Sequence, residues 1–319
     1  MRVFSGRGPV LLSGVVLASL WLCGCGAAGT PTTAPTIAPT TAPAEPTPSA
    51  AVPVVASTNV YGDVAERVGG DLVRVVSLIS DPAQDPHAYE AGTRNQLELS
   101  RAKVVVENGG GYDDFVGQML RGARNSSAEV VNAVEVSGKA PDDGGEFNEH
   151  VWYDLPTMGR LADRIADALA KAAPADADVF RKNATAFKEE LRAVQTEEAR
   201  IKNEHGGTAV AVTEPVPLYM IEACGLRNVT PPAFSEAVEE GEEVSPRVLR
   251  ETLGLFADAT ADVLVHNEQT SSPQTERVEQ AARDHGVPVV PVTETLPPGK
   301  DYVAWMTANV DALRRALEK

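Results

Sequence analysis

The stretch DADVFRKNATAFKEELRAVQTEEARIKNE (Asp176–Glu204) decides the fold. It contains neither Gly nor Pro. Phe180, Ala184, Phe187, Leu191, Val194 and Ile201 recur mostly three or four residues apart, the spacing of one helical face. Glu198 interrupts that apolar stripe. At about 1.5 Å per residue the segment predicts a helix roughly 40 Å long, the width of a domain. A helix of that length reads as a strut between two bodies.

On both sides of it, short β-branched runs alternate with helical patterns. Before the strut, strands are expected at Val52–Ala56, Leu72–Ile79, Lys103–Glu107 and Glu129–Asn132. Helices are expected there at Asn59–Val68, Thr93–Arg101, Tyr112–Gly122 and Pro156–Ala172. After it come strands at Thr208–Thr213, Ala261–His266 and Val287–Thr293. The helices are Val216–Cys224, Ser245–Phe256, Pro273–His285 and Asp301–Leu317. The fold class is α/β: two doubly wound lobes (53–175 and 206–319) joined by one long rigid helix (176–205). Ligands of such sheets bind beyond the carboxyl ends of the strands, which places a ligand cleft between the lobes.

The amino terminus is not part of that fold. Arg2 and Arg7 precede an apolar run, Val10–Leu22, followed by the small residues Gly24, Gly26 and Ala27. That order is an export signal. The run is shorter than the roughly 20 residues needed to span a bilayer. Leu22-Cys23-Gly24-Cys25 resembles the lipobox of bacterial lipoproteins, so residues 1–25 read as a lipoprotein signal peptide with Cys25 acylated. The chain would then be extracytoplasmic and anchored to the cell membrane through lipid alone. Residues 26–52, nearly all Ala, Pro, Thr and Gly, are a tether reaching up to roughly 80 Å at about 3.1 Å per residue. Cys224 would remain the one cysteine of the folded part, a small buried residue with no disulfide partner. A formal net charge of −17 argues against nucleic acid as a partner.

Four potential metal ligands fall near strand ends. His87 follows the second strand in Asp85-Pro86-His87-Ala88-Tyr89-Glu90, and His150 opens His150-Val151-Trp152-Tyr153-Asp154. Glu214 and Glu294 each end a strand of the second half. Imidazole and carboxylate together suit zinc, manganese or iron. His266 is the substitute for Glu294 as fourth ligand. His205 and His285 sit at helix ends, where a cationic residue suits the terminus. The acidic runs within Ala140–Glu149 and Glu236–Glu243 read as solvated loops. Gly109-Gly110-Gly111 lacks phosphate-loop spacing and reads as a tight turn.

Asp85-Pro86-His87-Ala88-Tyr89-Glu90, Glu107-Asn108-Gly109-Gly110-Gly111-Tyr112 and His150-Val151-Trp152 together resemble the metal-binding receptor lipoproteins of zinc and manganese ABC importers. This is the cluster A-I group, also called the ZnuA-like or TroA-like family. The resemblance continues through Glu214, Tyr219 and the closing segment from Glu294 to Leu317, and includes the long helix. It implies that His87 and His150 are the first two ligands. Glu214 would be the third, which is His in many zinc receptors and Glu in some manganese ones. Glu294 would be the fourth, commonly Asp, so that here the carboxyl reaches one methylene further. It also implies one divalent ion as cargo (Zn2+ or Mn2+), an ABC permease and its ATPase as partners, a monomeric state and no catalysis. The alternatives are a metal-dependent hydrolase, whose His-Glu-x-x-His mark is missing, and a surface adhesin on the same fold.

Metal binding through imidazoles should weaken below about pH 6, because a ligand must be deprotonated and free imidazole titrates near 6.5. Constant affinity from pH 7.5 to pH 5 in a metal titration would exclude histidine ligation.

Overall fold

The computed structural model describes residues 51–81, 89, 92–140 and 147–319. The first lobe runs β1 (Val52–Thr58), α1 (Asn59–Gly69), β2 (Val73–Ile79), α2 (Thr93–Arg101), β3 (Val104–Glu107), α3 (Asp114–Gly122), β4 (Glu129–Asn132), α4 (Ala133–Ser137) and α5 (Leu155–Ala172). Then comes the strut, α6 (Ala177–His205). The second lobe runs β5 (Ala209–Val212), α7 (Leu218–Ala223), β6 (Arg227–Asn228), α8 (Pro232–Glu239), α9 (Pro246–Ala257), β7 (Val263–Asn267), α10 (Pro273–Asp284), β8 (Val289–Val292) and α11 (Tyr302–Leu317).

Each lobe has one four-stranded sheet, ordered β2-β1-β3-β4 and β6-β5-β7-β8. All pairs are parallel, with Val54 beside both Val75 and Val104, and Val210 beside both Asn228 and Val263. Strands covered by helices on both faces are apolar at nearly every position, which is why the Val-rich runs were readable. In both sheets the chain reverses its winding direction beside the first strand. The switch points therefore lie at the carboxyl ends of β1 and β3, and of β5 and β7.

The strut does more than connect. Phe180, Ala184, Phe187, Leu191, Val194 and Ile201 are buried along one face of α6. They belong to a continuous apolar core that includes Val54, Val64 and Ile165 of the first lobe and Met220, Val265 and Trp305 of the second. α11 packs back onto α6, and the Tyr302 N–H donates to Asp63 Oδ2 at 3.0 Å. The Asn59 side chain clamps the loop after β8: its Nδ2 donates to the Leu296 carbonyl (3.1 Å) and its Oδ1 accepts from the Leu296 N–H (3.0 Å). The two lobes are thus parts of one packed body, not beads on a hinge.

Three elements lie outside the sequence pattern. α4 is a five-residue turn of helix, β6 is two exposed residues, and α8 starts at Pro232 and runs into the acidic stretch read as a loop. α3 begins at Asp114, later than Tyr112, because Gly109, Gly110 and Gly111 hold left-handed φ angles of 77°, 69° and 103°. Only glycine takes such angles freely, and a Cβ at Gly109 would also collide with the Asn132 side chain.

Glu198 stays in the buried row of α6, 5% exposed. Burial, and then the charge of Asp154, push its carboxyl up to about 8. A carboxyl whose folded value exceeds its unfolded value lets stability fall as pH rises between the two, here from about 4.5 to about 8. Glu198→Gln should therefore be the more stable protein at pH 9, by about 1–3 kcal/mol, with the difference shrinking toward pH 5. Thermal melts of both proteins across that range check it; parallel curves would overturn it.

Candidate metal centre

The first lobe brings its contribution through a sequence of tight backbone turns. After β3, Asp113 accepts from the N–H groups of Asn108 (2.6 Å) and Gly109 (2.8 Å), closing the glycine turn on itself. Asn108 is buried and takes the Tyr61 hydroxyl on its Oδ1. Its Nδ2 donates to the carbonyl of Glu149 at 3.0 Å. That bond fixes the approach to His150, which opens a single 3-10 turn, Val151–Tyr153.

His150 is fully buried. Its ring lies edge-on to Trp152 (4.9 Å between centroids, 66°) and to Tyr112 (6.1 Å, 69°). The second lobe reaches this point with α8, whose last residue is Glu239. Phe234 and Val238 are buried one turn apart on α8, and so turn Glu239 toward the first lobe. His150 Nε2 and Glu239 Oε1 are 3.3 Å apart. One ligand atom from each of Glu149, His150 and Glu239 lies within 4.8 Å of the others. This is the one such group of three or more among the described residues. An imidazole and two carboxylates at that spacing can converge on one divalent ion at bonds of about 2.0–2.2 Å.

The other expected ligands are placed as follows. His87 and Cys25 lie outside the described residues. Glu294 is buried at the end of β8, where Oε1 accepts from Asn267 Nδ2 (2.9 Å) and Oε2 from the Tyr112 hydroxyl (3.2 Å). It thus shares with His150 the Tyr112 ring as a wall. Burial, and next the Glu294 charge, hold the Tyr112 hydroxyl well above its usual range, so it remains a donor. Glu214 is buried beyond β5, beside Pro215, and is not part of the His150–Glu239 group. His266 Nε2 is paired with Glu279 Oε1 of α10 at 2.8 Å, and Glu279 also holds Arg283. Burial lowers the His266 value, while Glu279 and Glu268 oppose that shift. His266 Nε2 thus faces α10. His285 bonds the Ala281 carbonyl at 2.8 Å, the helix-end role its position implies.

Glu149 and Glu239 were the residues that sequence reading assigned to solvated loops. The available signal was the Phe234…Val238 spacing after Pro231-Pro232, which marks an amphipathic turn ending at Glu239.

Two parallel α/β lobes share one core, and an imidazole and carboxylates that could hold a metal ion gather where the lobes meet. Residues 54–316 match the model of the family described as zinc-uptake complex component A, periplasmic (ZnuA), and the chain belongs to that family. The manganese-binding lipoprotein MntA of Bacillus subtilis (strain 168) is 33% identical over 185 residues, 57% of this chain and 56% of that protein. The chain thus matches little more than half the length of that relative. The metal ABC transporter substrate-binding lipoprotein ScbA of Streptococcus cristatus is 23% identical over 86% of this chain and 91% of its own. Among solved structures, the binding protein FpvC of Pseudomonas aeruginosa in complex with Mn2+ superposes with a TM-score of 0.69 at 25% identity. That superposition covers 84% of this chain and 98% of FpvC.

Tyr112→Phe should remove a donor to the buried Glu294 and cost about 1–3 kcal/mol of stability in the metal-free protein. Chemical denaturation measures it. A loss within error would mean that water replaces the hydroxyl there.

Proposed function

We propose that this chain is the extracytoplasmic substrate-binding component of an ABC importer. It captures a divalent transition-metal ion, Zn2+ or Mn2+, and delivers it to a permease driven by its ATPase. The observation that carries the reading is the meeting of His150, from the first lobe, with Glu239, from the second, at 3.3 Å. Glu149 stands beside that pair, and Glu294 lies across the Tyr112 ring. His87, outside the described residues, is the second imidazole by the resemblance of Asp85-Pro86-His87 to the family. Glu239 takes the carboxylate position first assigned to Glu214. Cys25 carries the lipid anchor, and the receptor acts as a monomer without catalysis. Family membership and the manganese-binding names of its relatives support the cargo class.

The donor set does not choose between the two ions. Carboxylates favour the harder manganese, whereas zinc binds most nitrogen–oxygen sites more tightly. Elemental analysis and competitive titration of the purified protein test the reading. His150→Ala and Glu239→Gln should each lose at least about a hundredfold in affinity for both ions, because each removes a direct donor. Glu214→Gln should lose less than about tenfold, the usual effect of an outer partner. Full affinity in the Glu239 variant, with loss in the Glu214 variant, would restore the original assignment.

A further inference from the structure

Asn148 stands two residues before His150, in a stretch that sequence reading treated as solvated, and its side chain makes bonds to both lobes. Its Oδ1 accepts from the His150 backbone N–H at 3.1 Å, and its Nδ2 donates to the Pro215 carbonyl at 3.1 Å. A backbone N–H only donates and a carbonyl only accepts, so these two partners fix which end of the amide is oxygen. The same Oδ1 lies 2.7 Å from His150 Nδ1. An amide oxygen has no hydrogen to give, so the hydrogen of that bond sits on Nδ1. In the neutral ring Nε2 then presents its lone pair, toward Glu239 Oε1 at 3.3 Å.

The same residue is held from the second lobe a second time. Its carbonyl accepts from the Tyr219 hydroxyl at 2.7 Å, and Lys139 Nζ sits 4.2 Å above the Tyr219 ring. Pro215 follows Glu214 at the end of β5, so the amide links the imidazole to a switch point of the other sheet.

We infer that Asn148 is a positioning residue for metal capture: it sets the His150 tautomer that offers Nε2 to the ion and ties that imidazole to the second lobe. The inference rests on reading His150 and Glu239 as facing the metal. It explains why an amide suits the position. An Asp would keep both bonds to His150 but turn its second oxygen against the Pro215 carbonyl. A Leu of similar size would make none of the three bonds.

Long-range 1H–15N correlation spectra of the metal-free full chain, with His150 assigned through His150→Ala, read the tautomer directly. Zn2+ and Mn2+ titrations read the consequence. The wild type should show Nδ1–H at His150. Asn148→Leu should populate the Nε2–H form and weaken both ions about 10–100-fold, the usual effect of losing an outer partner of a ligand histidine. Asn148→Asp should keep Nδ1–H and hold affinity within about tenfold of wild type, while releasing metal faster in stopped-flow exchange because the tie to Pro215 is gone. An Nε2–H tautomer in the wild type overturns the inference, as does an Asn148→Leu protein with unchanged affinity. So does an Asn148→Asp protein as weak as the Leu variant. If Asn148→Leu does not fold, the wild-type spectrum and the Asp variant still decide. Unchanged affinity in His150→Ala would instead defeat the reading of the metal centre and leave the tautomer result standing.

Discussion

Two buried tyrosines donate their hydroxyls between the lobes, and the geometry of the cleft depends on them. Tyr153 bonds the Thr293 carbonyl at 2.7 Å, and Tyr302 bonds the Trp152 carbonyl at 2.6 Å. Both bonds hold the turn that begins at His150, one from each side. Burial is the main cause that raises both hydroxyls above their ordinary value, so they remain neutral donors throughout the range where the protein works. Around them Trp305 packs against both tyrosine rings, and the apolar core runs without interruption from one sheet to the other. An imidazole carried on that turn has little freedom to follow an ion. The ion must come to it.

Such rigidity has an electrostatic consequence. Bringing buried His150 together with half-buried Glu149 and Glu239, with buried Glu294 nearby, concentrates acceptors away from water, which is costly unless they are supplied with donors or a cation. The structure supplies donors to the outer member: Asn267 and Tyr112 give hydrogen bonds to Glu294, and Gln269 Oε1 takes its backbone N–H. His150 Nε2 and Glu239 Oε1 meet at 3.3 Å. On the proposed reading a cation would join them, and affinity for metal and the packing of the lobes would have one source. Such binding would be preorganised, the ordering done during folding rather than at capture.

Most of the fold was legible because its signals are local. The Val-rich strands, the helix caps at Asp154 and Ser245 and the absence of Gly or Pro from Asp176 to Glu204 mark elements without reference to anything distant. The interruption at Glu198 was also legible, but not its meaning. The residue keeps its place in the buried row because the carboxyl is held protonated, which no spacing rule reports. His150 and Glu294 were singled out by their positions after structural elements. Glu239 was not, because β6 is only two exposed residues, too short to announce the strand end after which α8 follows. The acidic run from Glu236 to Glu243 then looked uniformly solvated. One side chain in it is turned inward by Val238 and Phe234, a distinction made by packing and not by composition.

On the proposed reading, selectivity among divalent ions would follow from the same packing. Imidazole and carboxylate donors rank first-row metals in nearly the same order wherever they occur, so a receptor built from them discriminates through donor number and distance. On that reading those quantities would be fixed by residues that touch no metal: Asn148, bonded to His150, and Tyr112 with Asn267, bonded to Glu294. Zinc accepts four donors in a tetrahedron, whereas manganese tolerates more oxygen ligands. A Glu that can close from one oxygen to two would move the centre between these cases without changing any donor. The hydrogen bond from Tyr112 to one oxygen of Glu294 would bear on that choice, and on the proposed reading cargo preference would be sought there more than in the identity of the ligands.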